Sequence, residues 1–515
     1  MWYPNGIPHE YQLQLIKTTL FMPRIKNMTE LYDLVIRNGQ TVTDKETLKQ
    51  DVAIKDGKIV ALGENLERGI REIDASSLLI LPGGIDAHCH IEQKSSSGIM
   101  TADDFYTGSV SAAFGGTTTI LPFAAQHRGQ SLRDVVDDYM ACAVPKSVID
   151  YGFHLIISDA SDAIIGQELP AMIEDGITSF KIYMTYNDLK LDDYEILNVL
   201  AAARREQAMV MIHAENHDVI RWITEKLLDQ GCGAPRYHAI AHAQIAEKEA
   251  THRAISLAEL LDTPMLVVHV SSEAALNEIR RAQKRGLKIY GETCPQYLFL
   301  TIDDLDKDGM DGAMFCCSPP PRDKESQEAI WEGLIDGSFS VFSSDHSPYR
   351  HDSSGKLAAG PKPTFDKIAN GVPGLEIRMP LLFSEGVQTG RMDIHRFVAV
   401  TSTNAAKTYG LYPRKGTIAI GSDADLALWD PKKQVKITAD AIHDNMDYTP
   451  YEGMVSNGWP ITVINRGRIV IEDEELKVDR GSGQYLKRQR PEAAKPLNRL
   501  VKEIDPKTNF NAKFI

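Results

Sequence analysis

Eight apolar runs recur through the middle of the chain and leave few folds open to it. They are LILPGGIDAHCH ending at His90, GTTTILPF around Leu121, YGFHLIIS around Ile157 and TSFKIYM around Lys181. The series continues with AMVMIHAEN at His213, PMLVVHVSS at His269, LKIYGETCP at Glu292 and FSVFSSDHSP at Asp345. Most are spaced by about thirty residues, the length of one strand and one returning helix. Amphipathic stretches at 193–207 and 247–261 lie between them and suit helices. Eight strand–helix units in series predict an α/β fold built as a (β/α)8 TIM-like barrel, with chemistry at the C-terminal strand ends. An open doubly wound sheet is the alternative, but no GxGxxG loop follows the first strand.

The flanks have another rhythm. LYDLVIRNGQTV, DVAIKDGKIVALG and SSLLILPGG near the start, and GTIAIGSDADLALWD and WPITVINRGRIVIED near the end, alternate apolar and polar residues between turn signals. They read as short antiparallel strands. Residues 28–80 and 410–475 are therefore expected to form a small β-sandwich domain from both ends of the chain, with the barrel, 81–409, inserted. Residues 1–27 read as an N-terminal extension. Residues 476–515 are polar, with basic residues and prolines, and on composition alone suit a disordered tail.

Charge and cysteine usage exclude several classes. The 515 residues hold 56 Lys and Arg against 71 Asp and Glu, a net charge of −15. Such a surface repels phosphate backbones and anionic lipid, so neither nucleic acid nor membrane is an expected partner. No apolar run reaches the roughly 20 residues of a spanning helix, and the start lacks the pattern of a secretory signal. Cysteines at 89, 142, 232, 294, 316 and 317 form no CxxC pair, which suits a reducing, cytoplasmic compartment.

The residues that carry chemistry lie at the strand ends. In His88-Cys89-His90 the imidazoles share one side of a strand and Cys89 faces the other, toward packing. An HxH can chelate a metal, though alone it is equally a structural pair. His213 and His269 each close an apolar run, where a lone histidine more often packs than ligates. Asp345 has the dull alternative of capping a helix. Four histidines and one aspartate at the same end of predicted barrel strands are a far smaller coincidence, and His/Asp ligation suits Zn²⁺ or a similar metal. Lys181 sits among apolar residues on a predicted buried strand, where an unpaired ammonium is costly and shifts toward neutral. A neutral amine beside metal ions can add carbon dioxide and become a bridging carbamate. The alternative is an ammonium reaching the barrel mouth. His346, next to Asp345, reads first as a loop residue.

The ordered set GGIDAHCH, AAFGGTTTI, FKIYMTY, HAEN, VVHVSS, ETCPQYL, SPPPR, SSDHSPY, NGVPGLE and HDNMDYTPYEG closely resembles the dihydropyrimidinase/D-hydantoinase group of cyclic amidohydrolases, from about residue 28 to about 490. The resemblance implies two Zn²⁺ per subunit, bridged by a carboxylated lysine and a hydroxide. Carried over by position, His88, His90 and Asp345 would hold one zinc and His213 and His269 the other, with Lys181 as bridging N6-carboxylysine. Tyr186 would steady the developing oxyanion, Asp345 would move the proton, and Tyr186, Ser318 and Asn370 would bind the ring amide. The implied reaction opens dihydropyrimidines or hydantoins to N-carbamoyl amino acids. In relatives a tail like 476–515 wraps a neighbouring subunit, so the resemblance implies a homotetramer.

Two departures bear on substrate. After the HxH many relatives carry an apolar loop, whereas here it reads IEQKSSSG. That is either a solvated loop or a pocket favouring small or polar ring substituents, with 123–130 and 184–191 completing the rim. Dihydroorotases usually carry Arg where this chain has Glu92, which argues against that activity. Other cyclic imides or amides, such as succinimide or allantoin, stay as alternatives. A non-catalytic collapsin-response-mediator-like homologue is the other class, opposed by the survival of every ligand position.

Overall fold

Residues 31–95 and 98–514 are described by the computed structural model; the expected extension at 1–27 lies outside them. Eight of the nine strands of the central sheet run in parallel around the barrel: β1 (Gly84–Cys89), β2 (Thr117–Ala125), β3 (His154–Ile156), β4 (Ser179–Tyr183), β5 (Met209–His213), β6 (Met265–Val267), β7 (Ile289–Thr293) and β8 (Val341–Phe342). They pair in chain order. The ring closes just past β8, where the His90 amide donates to the His346 carbonyl at 2.7 Å and Cys89 bridges His346. The expected (β/α)8 barrel is therefore present.

Period-2 alternation decides which side chains of β2 to β6 enter the barrel, while register shifts in β1 bring both Ala87 and His88 to the inner side. Ile85, Ala87, Leu121, Phe123, Ile156, Tyr183, Met209, Met211 and Leu266 share the inner core. Their strand neighbours Leu155, Phe180, Ile182, Val210 and Ile212 pack outward, in the cluster that includes the helices. Burying each such aliphatic side chain stabilises the fold by about 1.5–3 kcal/mol. Lys181, between Phe180 and Ile182, thus faces the inner side with Tyr183. The 193–207 stretch becomes a helix over Asp193–Glu206, started by a capping box between Asp192 and Glu195 and stopped at Gln207, φ +54°. The 247–261 stretch lies in the helix Gln244–Leu261.

Both ends of the chain build β structure beside the barrel. One four-stranded sheet is ordered Lys58–Gly63, Asp51–Lys55, Tyr32–Arg37, Gly69–Asp74. The other has seven strands, with Leu79–Pro82 between Gln40–Val42 and Leu426–Lys436, and Val455–Asn465 beyond. Leu34, Ile36, Val52, Ile80, Leu426, Leu428 and Ile464 from both sheets share one core. Two pairings, Tyr32–Arg37 with Gly69–Asp74 and Gln40–Val42 with Leu79–Pro82, are parallel rather than antiparallel as the sequence suggests. The chain passes between the two sheets along this stretch, and that crossover permits parallel pairing. No helix among the described residues is long and apolar enough to cross a membrane.

The polar tail is ordered against its own barrel rather than disordered. Leu486 donates to the Tyr151 carbonyl at 2.7 Å, buried Arg488 donates to Ser179 Oγ at 2.7 Å, and Tyr290 donates to the Ala493 carbonyl at 3.2 Å.

Candidate metal centre and active site

The barrel mouth gathers the six residues singled out as ligands. His88 lies in β1 with His90 just after it, Lys181 is central in β4, and His213 ends β5. His269 and Asp345 follow β6 and β8 closely. Donor atoms of His88, His90 and Asp345 lie within 4.8 Å of one another. Asp345 Oδ1 is 3.0 Å from His88 Nε2 and 3.4 Å from His90 Nε2, so its carboxylate does not cap a helix. The His269 ring centroid is 4.5 Å from that of His213 and 5.3 Å from that of His88. Lys181 Nζ lies 2.9 Å from His88 Nε2 and sits over the rings of Phe123 and Tyr183.

Two of these residues and Tyr186 carry a left-handed backbone. His269, Asp345 and Tyr186 adopt φ of +38°, +48° and +69°. Each left-handed non-glycine conformation costs about 1–3 kcal/mol and persists only where the surroundings impose it.

Three of the four imidazoles are oriented by a partner on one ring nitrogen. His88 Nδ1 pairs with Glu292 Oε1 at 2.5 Å, His90 Nδ1 with Gln93 Oε1 at 2.8 Å, and His213 Nε2 with Glu215 Oε2 at 2.8 Å. Such bonds fix the tautomer and leave the other nitrogen's lone pair for a ligand. His269 has no such partner: both its ring nitrogens are buried and unpaired among the described residues. A buried polar atom without a partner costs about 1–3 kcal/mol. Four imidazoles, one carboxylate and a lysine amine fit a borderline divalent metal such as zinc.

Electrostatics keep most of the set in ligand form. Burial, then the nearby His213 and Lys181 charges, hold His269 well below the ordinary imidazole range. Burial also lowers His213 and His90. At His88, burial and the Lys181 charge push downward, but Glu292 and Asp345 outweigh them and the net shift is upward. Burial opposes ionisation of Asp345, yet the His88 charge and hydrogen bonds from His88 and His90 hold its pKa well below the carboxylate range. Burial pulls Lys181 down to about 8 against the charges of Asp345 and Glu292.

Tyr186, Ser318 and Asn370 also meet here. Burial, then the Glu215 charge, pushes the Tyr186 phenol far up, while hydrogen bonds from Ser318 and Asn370 work the other way. Its ring lies 5.4 Å from that of His213. The phenol stays protonated and able to donate.

Sequence reasoning missed the partners. Glu292 ends one of the eight apolar runs, and Glu215 follows His213 by two residues; only the barrel brings Glu292 to His88, 204 residues away. Glu215 also pairs with His242 Nδ1 at 2.9 Å. His346 is no solvated loop residue: it is fully buried, with Nε2 2.9 Å from Asp103 Oδ2 and Nδ1 accepting from the Gly374 amide. Its main chain closes the barrel, which explains its burial. In the polar loop, Glu92 is committed to Lys146 at 2.6 Å and Gln93 to His90. Cys89 packs in the core, and all six cysteines are unpaired.

Residues 79–470 match the sequence profile of the amidohydrolase family. The chain belongs to that family. This amidohydrolase is 44% identical over 457 residues to the D-hydantoinase of Geobacillus stearothermophilus, an alignment covering 88% of this chain and 96% of that protein. It is 38% identical over 461 residues to a D-phenylhydantoinase of Escherichia coli, covering 88% and 98%. The crystal structure of dihydropyrimidinase from Brevibacillus agri superposes with a TM-score of 0.86 at 43% identity, covering 89% of this chain and 99% of that one. An L-hydantoinase (dihydropyrimidinase) from Arthrobacter aurescens gives 0.81 at 28% identity, covering 89% and 100%. The amidohydrolase thus falls in the hydantoinase/dihydropyrimidinase group named by its motifs. Relatives named for D and for L hydantoins share the fold, so the barrel alone does not set stereochemistry.

Proposed function

We propose that this chain opens the ring amide of dihydropyrimidines or hydantoins to N-carbamoyl amino acids, using two zinc ions per subunit. The chain is a cyclic amidohydrolase acting on carbon–nitrogen bonds. The observation that carries the finer reading is the convergence of buried His88, His213 and His269 and part-buried His90 on Lys181 and Asp345, with both nitrogens of His269 unpaired among the described residues. In this reading His88, His90 and Asp345 would hold one zinc and His213 and His269 the other, with Lys181, carboxylated on Nζ, as a further ligand. When bound, the metal pair supplies an activated water near neutral pH and polarises the ring carbonyl.

The chain's own groups do the rest. Burial leaves Lys181 with a pKa of about 8, so a reactive neutral amine is accessible to carbon dioxide near neutral pH. Asp345, held ionised, accepts a proton as the carbonyl is attacked and delivers it to the leaving ring nitrogen. The protonated Tyr186 hydroxyl donates to the oxygen on which charge develops. Main-chain groups of Ser318 and Asn370 hold the rest of the ring amide. Unpaired cysteines suit a reducing cytoplasm, and the working form is a homotetramer with residues 476–515 at subunit contacts. Light scattering on the eluting species checks the last point; a monomer alone contradicts it.

The test is hydrolysis of dihydrouracil, hydantoin, allantoin and succinimide by protein loaded with zinc and bicarbonate. Turnover of the first two supports the proposal. Turnover confined to allantoin or succinimide moves the substrate, and silence without bound metal overturns the reading.

A further inference from the structure

Lys356 is fully buried, yet it makes no ion pair with any carboxylate among the described residues. Its Nζ donates instead to three main-chain carbonyls: Cys316 at 2.7 Å, Ala369 at 2.7 Å and Gly371 at 2.5 Å. An ammonium carries three N–H donors on one atom, which matches three acceptors converging on one point; a guanidinium does not. Burial lowers its pKa to about 8, so the ammonium persists at neutral pH.

The three carbonyls belong to the two segments that carry Ser318 and Asn370. The segments are also joined directly, the Gly371 amide donating to the Cys316 carbonyl at 3.0 Å. Position 371 must be glycine: φ is +146°, and a Cβ there would clash with the Ser347 carbonyl oxygen. Neither the amide nor the carbonyl of Asn370, nor those of Ser318, makes a hydrogen bond within the described residues. The clasp consumes the neighbouring peptide groups and leaves these four free.

We propose that Lys356 is a positioning residue for substrate: its ammonium clasps the two segments so that the free main-chain groups of Ser318 and Asn370 receive the ring amide. The inference rests on the ring-binding role given to Ser318 and Asn370 above. Lys356 touches no reacting atom, so its loss weakens ground-state and transition-state binding alike and acts on KM.

Dihydrouracil hydrolysis by the zinc-loaded full chain tests this with Lys356→Met. The expected result is a KM at least about tenfold higher, the scale of one or two lost hydrogen bonds, with kcat reduced less than about threefold and metal content unchanged. A KM within about twofold of the unaltered protein overturns the proposal. Lys356→Ala, assayed with and without ethylammonium, covers a Met variant that does not fold. Ethylammonium restores KM if the clasp is what matters, and failure to restore it, or rescue by propan-1-ol as well, overturns the proposal. Lack of turnover by the unaltered protein would instead count against the cyclic-amide reading itself, so the two failures are distinguishable.

Discussion

Lys181 and Lys415 are both buried, and their surroundings are opposite. Lys415 lies where the barrel meets the β sheets, with Asp150 at 2.5 Å, Asp425 at 2.6 Å and Asp423 at 3.0 Å. Burial would lower its pKa, but the charges of Asp425, Asp150 and Asp423 push it upward. Lys181, at the barrel mouth, makes no ion pair among the described residues and neighbours imidazole and aromatic rings; burial outweighs the charges of Asp345 and Glu292, and its pKa falls. Lys415, which holds structure, is neutralised by fixed acids. Lys181, without such ion pairs among the described residues, is held closer to its neutral form by burial.

The sharpest way to break this contrast is to remove each lysine. Lys181→Ala should lower turnover at least about a thousandfold, the scale for losing a member of a catalytic unit, with metal content falling and the metal-free thermal midpoint hardly changed. Steady-state kinetics, metal analysis and calorimetry read the three quantities. Lys415→Met should do the reverse: stability falls by about 3–5 kcal/mol, because buried carboxylates lose their counter-charge, while turnover per folded chain is retained. Urea unfolding monitored beside activity checks it, and a Lys415→Met protein of normal stability would dissolve the contrast.

A smaller effect is expected from the groups that orient the histidines. Glu215→Gln keeps the shape beside His213 but removes the charge, and should weaken metal binding about 10–100-fold, measured by chelator competition. The smallest concerns acid. Burial opposes ionisation of Asp423, but the Lys415 charge and the hydrogen bonds from Lys58 and Lys415 pull its pKa to about 2. Its folded pKa is depressed, so its contribution is complete above the unfolded value near 4 and disappears as pH falls toward 2. The contribution is about 2 kcal/mol, and Asp423→Asn should flatten the midpoint-versus-pH curve in that window.

The same contrast separates what could be read in the sequence from what could not. His88, His90, His213, His269 and Asp345 were legible because each sits at or beside the end of an apolar strand, and strand order in a parallel barrel brings those ends together; Lys181 was legible as a lysine among apolar residues inside one. Glu292 and Gln93 were not legible as orienting groups, because that role exists only once β7 meets β1 or the loop folds back on His90. His346 read as loop because its burial comes from closing the barrel, not from local pattern. Arg488 lies in a stretch with the composition of a solvated tail, and its burial is met by hydrogen bonds to Ser179 and the Phe153 carbonyl rather than by apolar neighbours. Lys356 gave no signal, since its partners are main-chain carbonyls, which no side-chain pattern encodes.

The account stands on Lys181 being carboxylated between two metal ions. Carbon-13 NMR of protein reconstituted with zinc and ¹³C-bicarbonate tests this directly, with Lys181→Ala as control. The account predicts a carbamate signal from the unaltered protein, near one label per chain, absent in the variant and accompanied by two zinc ions. Full turnover by protein carrying no such signal would contradict it.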